Sequence, residues 1–424
     1  MLPLKLHNIT VVDRMLLAAC RRPELEPIDL SLWERELSGG HLYHRFVERA
    51  YAHHVPGLVL SAIEASGLFE RLQMEVRIVL QTHLLRQRRR SALLAMETAR
   101  VCSSLRESGI ENVILKGAAL ALSSYDAPEQ RFMGDLDLLV QAGDVDRALS
   151  RLLDLGYDNP WSAEAVRGYR TYHYHLPLAH RDGQIIELHW DLVKPGRPYR
   201  LPPADLIERA TPFEVAGTTV QIPSAEDQVL HTAIQQLQDG FTFLARSVDL
   251  DRIAANGSPR WDLIAERAIE GQLATAVAYA CQLARCTLES PIPSDLVQSL
   301  APGRLARTHL SLMRPVRSAV EQRFVGHPTA SNLLRMWLSQ GHRSRASQVG
   351  QWVREMEDHE PLARPWALDD RRGMKTRRRG LLEVIKLIVF QLATYLESGL
   401  RLVSRSGRNQ MRFWSSQCNS SERL

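Results

Sequence analysis

Residues 115–140, LKGAALALSSYDAPEQRFMGDLDLLV, decide how this 424-residue chain is read. The apolar run Val113-Ile114-Leu115 leads into a turn at Lys116-Gly117, as a short buried strand would. Ala118 to Ser124 forms a small-residue helical turn, and after a loop with Pro128 residues 132–140 read as a second strand. Side chains two apart on a strand share a face. Asp135 and Asp137 therefore project together, while Leu136, Leu138 and Val140 face the core. Asp144 is expected to cap a helix that runs to Leu155.

Two alternating runs follow on either side of Arg181-Asp182-Gly183, an Asp-Gly hairpin signal. The second run is QIIELHW, residues 184–190. Residues 110–191 thus read as a small mixed sheet inside a largely helical chain, an α+β fold. Upstream, apolar residues recur at helical spacing from 10 to 108, and residues 73–106 hold neither Gly nor Pro, as one long helix would. The run Arg86, Arg88, Arg89, Arg90 on it reads as a solvated face. Downstream come a Pro-rich connection at 195–203 and a hairpin at 213–222 turning at Gly217. Ser224, with Asp227 three residues on, reads as the cap of a run of helices reaching about residue 357. The expected organisation is a helical region 1–108, an α/β core 109–223, a helical domain 224–360 and a basic tail 361–424.

Hydrophobic residues at 45% and charged residues at 24% exclude a disordered, collagen-like or multi-span membrane chain. The net charge of +5 is uneven: residues 371–412 carry eleven basic and two acidic residues, leaving the remainder mildly acidic. That distribution suits a local contact with anions and speaks against a body wrapped on duplex DNA. Cys20, Cys102, Cys281, Cys286 and Cys418 form no paired-ligand pattern, which fits a reducing compartment, with Cys281 and Cys286 as buried structural thiols. Leu17-Ala18-Ala19-Cys20 mimics a lipoprotein box, but Asp13 and Arg14 interrupt the apolar stretch before it, so the segment reads as cytoplasmic helix.

The chemistry gathers around the two strands. Asp135 and Asp137 can converge on a hard cation such as Mg²⁺, which prefers oxygen ligands. Gly134 before them leaves room for a substrate. Glu187 stands between Ile186 and Leu188 and shares a face with His189, so it can bring a third carboxylate. Lys116-Gly117 at a strand end opens a helix whose N–H groups attract phosphate, with Lys116 as a point charge. Arg131 can fork onto another phosphate oxygen. His173, His175, His180 and His189 cluster on the hairpin, where loop length leaves His175 opposite either Trp190 or His189. No Cys or HExxH pattern supports zinc there, and His175 or His189 can equally contact a phosphate or substrate. Asp249 and Asp251 read as solvated.

These pieces in this order resemble the nucleotidyltransferase superfold of the DNA polymerase β type. The string quoted above, followed by IIELHWDL at 185–192, is similar to a narrower bacterial group, the uncharacterised nucleotidyltransferases of the LKG…R…DxDLLV…ELHW type, over roughly residues 10–255. The chain departs from the superfold's usual Gly-Ser pair, and seventeen residues separate Gly117 from Asp135. The resemblance implies Mg²⁺ or Mn²⁺ on the catalytic carboxylates Asp135, Asp137 and Glu187. It places Lys116, Gly117, Arg131 and His189 on the nucleotide. It also implies transfer of a nucleoside monophosphate from an NTP to an unidentified acceptor hydroxyl or phosphate. A non-catalytic nucleotide-binding or membrane-surface scaffold, and a transferase acting on tRNA, are the competing readings.

Residues 380–403, GLLEVIKLIVFQLATYLESGLRLV, combine a wide apolar face with a narrow polar stripe and follow a cluster of six cations from Arg371 to Arg379. The segment 371–403 suits an anionic membrane surface at the inner face of the membrane; packing on the body is the alternative. Co-sedimentation with anionic vesicles should show binding that weakens with salt and is lost on truncation after Pro365. Equal recovery of full-length and truncated protein in the supernatant would remove the membrane contact.

Overall fold

Period-two alternation gives the central sheet one apolar and one polar face. In the computed structural model, which describes residues 10–300 except 24, 26–27, 39–41, 160–161 and 242, five strands form this sheet. They are β1 (Asn112–Ile114), β2 (Leu136–Val140), β3 (Tyr157–Asp158), β4 (His175–His180) and β5 (Ile185–His189), in the order β1-β2-β5-β4-β3. β2 and β5 run parallel, and every other neighbouring pair is antiparallel. Leu136, Leu138, Val140, Leu176, Leu178, Ile186 and Leu188 share one face and enter a single apolar cluster. The opposite face carries Asp137, Glu187, His189 and His175. The fold is α+β, with this small mixed sheet set among helices.

Four helices precede the sheet: α1 (Val11–Cys20), α2 (Leu30–Ser38), α3 (Leu42–Ala52) and α4 (Pro56–Ala65). Then comes α5 (Met74–Glu107), the one long helix expected. Its 34 residues span about 51 Å at 1.5 Å per residue. Val76, Leu80 and Leu84 of its first half join the larger of two apolar clusters. Leu94, Val101 and Leu105 of its second half cover the apolar face of the sheet. α5 is therefore a wall common to both. Arginines expected to be solvated are in part engaged: Arg88 donates to Glu64 and Glu129, and Arg90 to the Gly134 carbonyl at 3.0 Å.

After β1 come α6 (Lys116–Ser123), α7 (Val145–Asp154), α8 (Ala163–Arg170) and α9 (Pro203–Glu208), interleaved with the strands. β6 (Thr211–Val215) and β7 (Thr218–Ile222) form a separate hairpin. Ala216 and Gly217 both have positive φ, as a two-residue turn that matches strand twist requires. Five helices close the described chain: α10 (Ala225–Gln238), α11 (Leu244–Asn256), α12 (Trp261–Glu270), α13 (Ala274–Leu288) and α14 (Ser294–Leu300). Ser224 caps α10 as expected, its Oγ accepting the Asp227 N–H at 3.2 Å. Asp144 holds the N-cap position of α7, but its carboxylate accepts from Arg147 instead of capping the backbone. Leu16 of α1 and Leu230 of α10 share the larger cluster with Ala280 of α13, so one core joins the first and last described helices.

Three further expectations are corrected. The second strand starts at Leu136, not at 132, because the Phe132 and Gly134 carbonyls accept from Arg131 and Arg90 and so never join the ladder. Asp249 and Asp251 are not solvated: both are fully buried on α11 and ion-paired, Asp249 with Arg131 and Asp251 with Arg252. Cys281 is buried, its thiol pushed up to about 12 by burial, but Cys286 is only partly buried and accepts from Gln282. Helices beyond 300, the basic tail with its segment 380–403, and Cys418 lie outside the described residues. No described helix is long and apolar enough to cross a membrane.

Arg131 and Asp249 lock the loop before β2 onto α11. Nε and Nη2 of Arg131 donate to the two carboxylate oxygens at 2.6 and 2.9 Å, and the Tyr125 hydroxyl donates to the same carboxylate at 2.7 Å. Removing one partner of such a pair strands a buried charge, whereas replacing both with apolar residues does not. Arg131→Ala should therefore lose about 3–5 kcal/mol of unfolding free energy in urea titrations. Arg131→Met combined with Asp249→Leu should lose far less, and a single-variant loss below about 1 kcal/mol would show the pair to be peripheral.

Candidate functional site

Two register choices build the site. The parallel pairing of β2 with β5 sets Asp137 beside Glu187 and Leu139 beside His189. The β4–β5 hairpin sets His175 opposite His189. The second choice follows from the turn. Gly183 N–H donates to the His180 carbonyl at 2.9 Å, His180 N–H donates to the Gln184 carbonyl at 2.8 Å, and Gly183 has a φ of 82°. That is a three-residue loop with a left-handed glycine, which resolves the open register in favour of the histidine pair. Asp135 precedes β2 by one residue in a bend, close enough to feel the charges of Asp137 and Glu187.

Lys116 reaches this face from the other side. It opens α6 with a φ of 50°, a conformation that costs an L-residue about 1–2 kcal/mol. The Leu115 N–H donates to the Asp137 carbonyl at 2.9 Å and prolongs the pairing of β1 with β2. From there the Lys116 ammonium bridges the Asp137 carboxylate and Glu187 Oε2, the latter at 3.0 Å. Burial opposes its charge, but the two carboxylates raise its pKa above the usual lysine value. Glu187 is the counterpart. Burial favours its protonated form, yet His189, Lys116 and His175 hold its pKa far below the ordinary glutamate value.

His189 is fully buried behind the carboxylates. Its Nε2 lies 2.9 Å from Asp137 Oδ1 and 3.4 Å from Glu187 Oε2, and its Nδ1 lies 3.4 Å from the Asp191 carbonyl. Burial and Lys116 act against its protonation, and the hydrogen bonds to Asp137 and Glu187 outweigh them and raise its pKa. Asp135 has no such partner. It makes no hydrogen bond or ion pair among the described residues, and its pKa rises from 3.8 to about 6. Burial is the main cause, followed by the charges of Asp137 and Glu187, with Lys116 and Arg246 offsetting only part.

The structure brings together Lys116, Asp135, Asp137, Glu187, His189 and His175 of the residues singled out from sequence. Arg131 is not with them. Its guanidinium is committed to Asp249 and to the Phe132 carbonyl, so it supports the loop from beneath instead of presenting donors to a phosphate. Gly117 is needed for that support: a Cβ there would meet Met133 Cγ at 3.2 Å and Arg131 Nη1 at 3.6 Å. His173 stacks on Tyr169 at 4.2 Å between ring centroids, and burial lowers its pKa to about 4. His180 pairs with Asp182 at 3.4 Å, at the far end of β4.

Sequence reasoning missed three residues that surround the carboxylates. Arg246 of α11 holds Asp239 at 3.1 Å, and its charge reaches Asp135. Arg90 of α5 binds the carbonyl next to Asp135. His231 of α10 is buried and kept neutral by desolvation, then by the charges of Lys116, His189 and Arg246. The unbroken burial of α10 was the available signal for His231, since a polar side chain on a helix buried on all sides needs a partner or a task. Nothing local marked the two arginines.

The donor set fits a divalent cation. Three carboxylates stand close together against a single lysine and one histidine of raised pKa, and the unpaired one resists ionisation, so negative charge is in excess. His175, Glu187 and His189 also offer ligand atoms within 4.8 Å of one another. The excess charge has a measurable consequence. A carboxyl whose pKa is higher folded than unfolded supports the fold below pH 4 and loses that support as pH rises through 6. For Asp135 the difference corresponds to at most about 3 kcal/mol. Metal-free Asp135→Asn protein should therefore be more stable than the parent at pH 7.5, with the gain vanishing near pH 4. Thermal denaturation at the two pH values checks this, and an equal gain at both would assign the effect to packing.

Comparison with known proteins adds the family. Residues 42–289 match the family described as uncharacterised nucleotidyltransferase, a span that holds every residue of the site; it both begins and ends later than the resemblance read over residues 10–255. Comparison with curated proteins finds no match. Among solved structures, an antigenic nucleotidyltransferase-like protein from Paracoccidioides brasiliensis is similar at 15% identity with a TM-score of 0.27, covering 54% of this chain and 92% of its own. At that score the likeness carries no weight for the site. The match over more than half of its length shows that the chain belongs to the family of uncharacterised nucleotidyltransferases.

Proposed function

We propose that the chain transfers a nucleoside monophosphate from an NTP to an acceptor hydroxyl or phosphate. The observation that carries this reading is the register of β2 on β5. It sets Asp137 beside Glu187, with Asp135 close by and Lys116 bridging two of the three. In the transfer, an acceptor oxygen forms a bond to the α-phosphorus. The bond from that phosphorus to the bridging oxygen breaks, pyrophosphate leaves, and the acceptor proton passes to a base.

Asp135, Asp137 and Glu187 would hold Mg²⁺ or Mn²⁺, which when bound neutralises charge on the phosphate oxygens. The protein's own contribution is placement and charge. Lys116, at the start of α6, can turn from the carboxylates to the triphosphate, where the N–H groups of Gly117 and its neighbours also point. Arg246, whose charge reaches Asp135, and Arg90 would supply the further positive charge first expected of Arg131. Glu187 is held ionised and is a weak proton acceptor. His189, out of reach of solvent, orients Asp137 and Glu187 and does not touch the nucleotide.

Pyrophosphate release with each NTP, coupled to mass spectrometry of small molecules, glycans, peptides and tRNA offered as acceptors, tests the reaction and finds the acceptor. Asp135→Asn, Asp137→Asn and Glu187→Gln should each lower release by about 100-fold or more while the protein stays folded. Parental turnover in all three variants under saturating Mg²⁺ would overturn the assignment. Nucleotide binding without pyrophosphate release would identify a non-catalytic nucleotide-binding protein.

A further inference from the structure

We propose that His175, His189 and Glu187 form a second, nitrogen-rich metal site for a borderline ion of the zinc class, next to the carboxylates that suit Mg²⁺. The proposal rests on the reading above only in placing Glu187 at a metal; it requires no transfer. Cross-strand pairing puts His175 directly opposite His189, and Glu187 lies two residues before His189 on the same face. Their ligand atoms lie within 4.8 Å of one another. His175 Nε2 is 3.7 Å from Glu187 Oε1, and His189 Nε2 is 3.4 Å from Glu187 Oε2. A tetrahedral ion with bonds of about 2.0–2.1 Å holds its donors about 3.3 Å apart, so small side-chain rotations close the shell.

Three further observations point to a ligand. First, His175 Nε2, the ring nitrogen that faces Glu187, stops 3.7 Å from Oε1 and makes no hydrogen bond, so it is available to an ion. Second, His189 turns its Nδ1 to the Asp191 carbonyl and its Nε2 inward, the outer-shell arrangement that orients metal-binding imidazoles. Asp191 is itself fixed, its carboxylate accepting the Leu192 and Val193 N–H groups. Third, the two oxygens of Glu187 are divided. Oε2 accepts from Lys116, and Oε1 faces His175, so the lysine and an ion need not compete for one atom.

The donor types set the class of ion. Imidazole suits zinc and its neighbours, whereas Mg²⁺ takes oxygen. Two histidines and one glutamate leave a fourth position for water or a phosphate oxygen. Binding exchanges the His189 Nε2 proton, which now faces Asp137, for the ion and releases that proton to solvent.

Chelator-treated full-length protein titrated with Co²⁺ tests the site, because four-coordinate Co²⁺ absorbs strongly in the visible. One Co²⁺ per chain should bind, with the band abolished by Zn²⁺ and retained in about a 100-fold excess of Mg²⁺. His175→Gln and His175→Ala should each weaken Co²⁺ binding about 10–100-fold with the far-ultraviolet circular dichroism unchanged. Asp135→Asn should leave it intact. Displacement by Mg²⁺, or unchanged Co²⁺ affinity in both His175 variants, would overturn the proposal even if Asp135→Asn abolishes pyrophosphate release. Co²⁺ binding that depends on His175 would sustain it even if the carboxylate variants keep full turnover, an outcome that removes the transferase reading alone.

Discussion

The Lys116 ammonium between Asp137 and Glu187 is the interaction on which the site depends. Without it, the pairing of β2 with β5 would set two carboxylates side by side on a mostly buried sheet face. Like charges in that position repel, and burial amplifies the repulsion. Lys116 reaches them because α6 starts in a left-handed conformation directly after β1, and β1 is held to β2 by the same Leu115–Asp137 backbone bond that aligns the strand. Backbone strain at Lys116 and the charge cluster thus stabilise one another. The balance is incomplete: Asp135 stays unpaired and resists ionisation. Local instability of this kind is typical of surfaces built to receive a charged ligand.

The apolar half of the sheet makes this arrangement possible. Leu136, Leu138, Ile186 and Leu188 are completely buried on one face, so register cannot slip by one residue without turning leucines outward and carboxylates into the core. The same alternation that buries the leucines therefore fixes the spacing of Asp137, Glu187 and His189. A second buried device, the Arg131–Asp249 pair with Tyr125, holds the loop that carries Asp135 against α11. The match over residues 42–289 places the chain in the family of uncharacterised nucleotidyltransferases, and this sheet face lies within that span.

Periodicity carried most of the fold. The long helix, both hairpins, the Ser224 cap and the α+β class all follow from local patterns, because amphipathic spacing and turn chemistry act within a few residues. Where the reading went astray, a charged side chain had intervened. Residues 132–135 look like strand, but the neighbouring Arg131 and the distant Arg90 take the Phe132 and Gly134 carbonyls. Asp144 sits where a cap belongs, but Arg147 takes its carboxylate. Asp249 and Asp251 look like surface residues of an ordinary helix until α11 is packed on both sides.

The carboxylates, the lysine and the histidines were visible as residue types at suggestive spacing, and strand alternation was enough to pair Glu187 with His189 on one face and to suggest that Asp135 belongs with Asp137. The folded chain brought the two pairs together, through the parallel pairing of β2 with β5. It also decided that Lys116 clasps the carboxylates, that His175 meets His189 and that Arg131 belongs to Asp249. Strand alternation and turn signals are local, whereas these ion pairs and the parallel pairing join residues from about 20 to nearly 120 positions apart. Their partners are selected by burial, since a charge removed from water must find the opposite charge wherever the chain brings it. His175 shows the boundary most plainly: a one-residue difference in a hairpin loop, settled by the left-handed Gly183, separates a histidine facing Trp190 from one that stands opposite His189 beside Glu187.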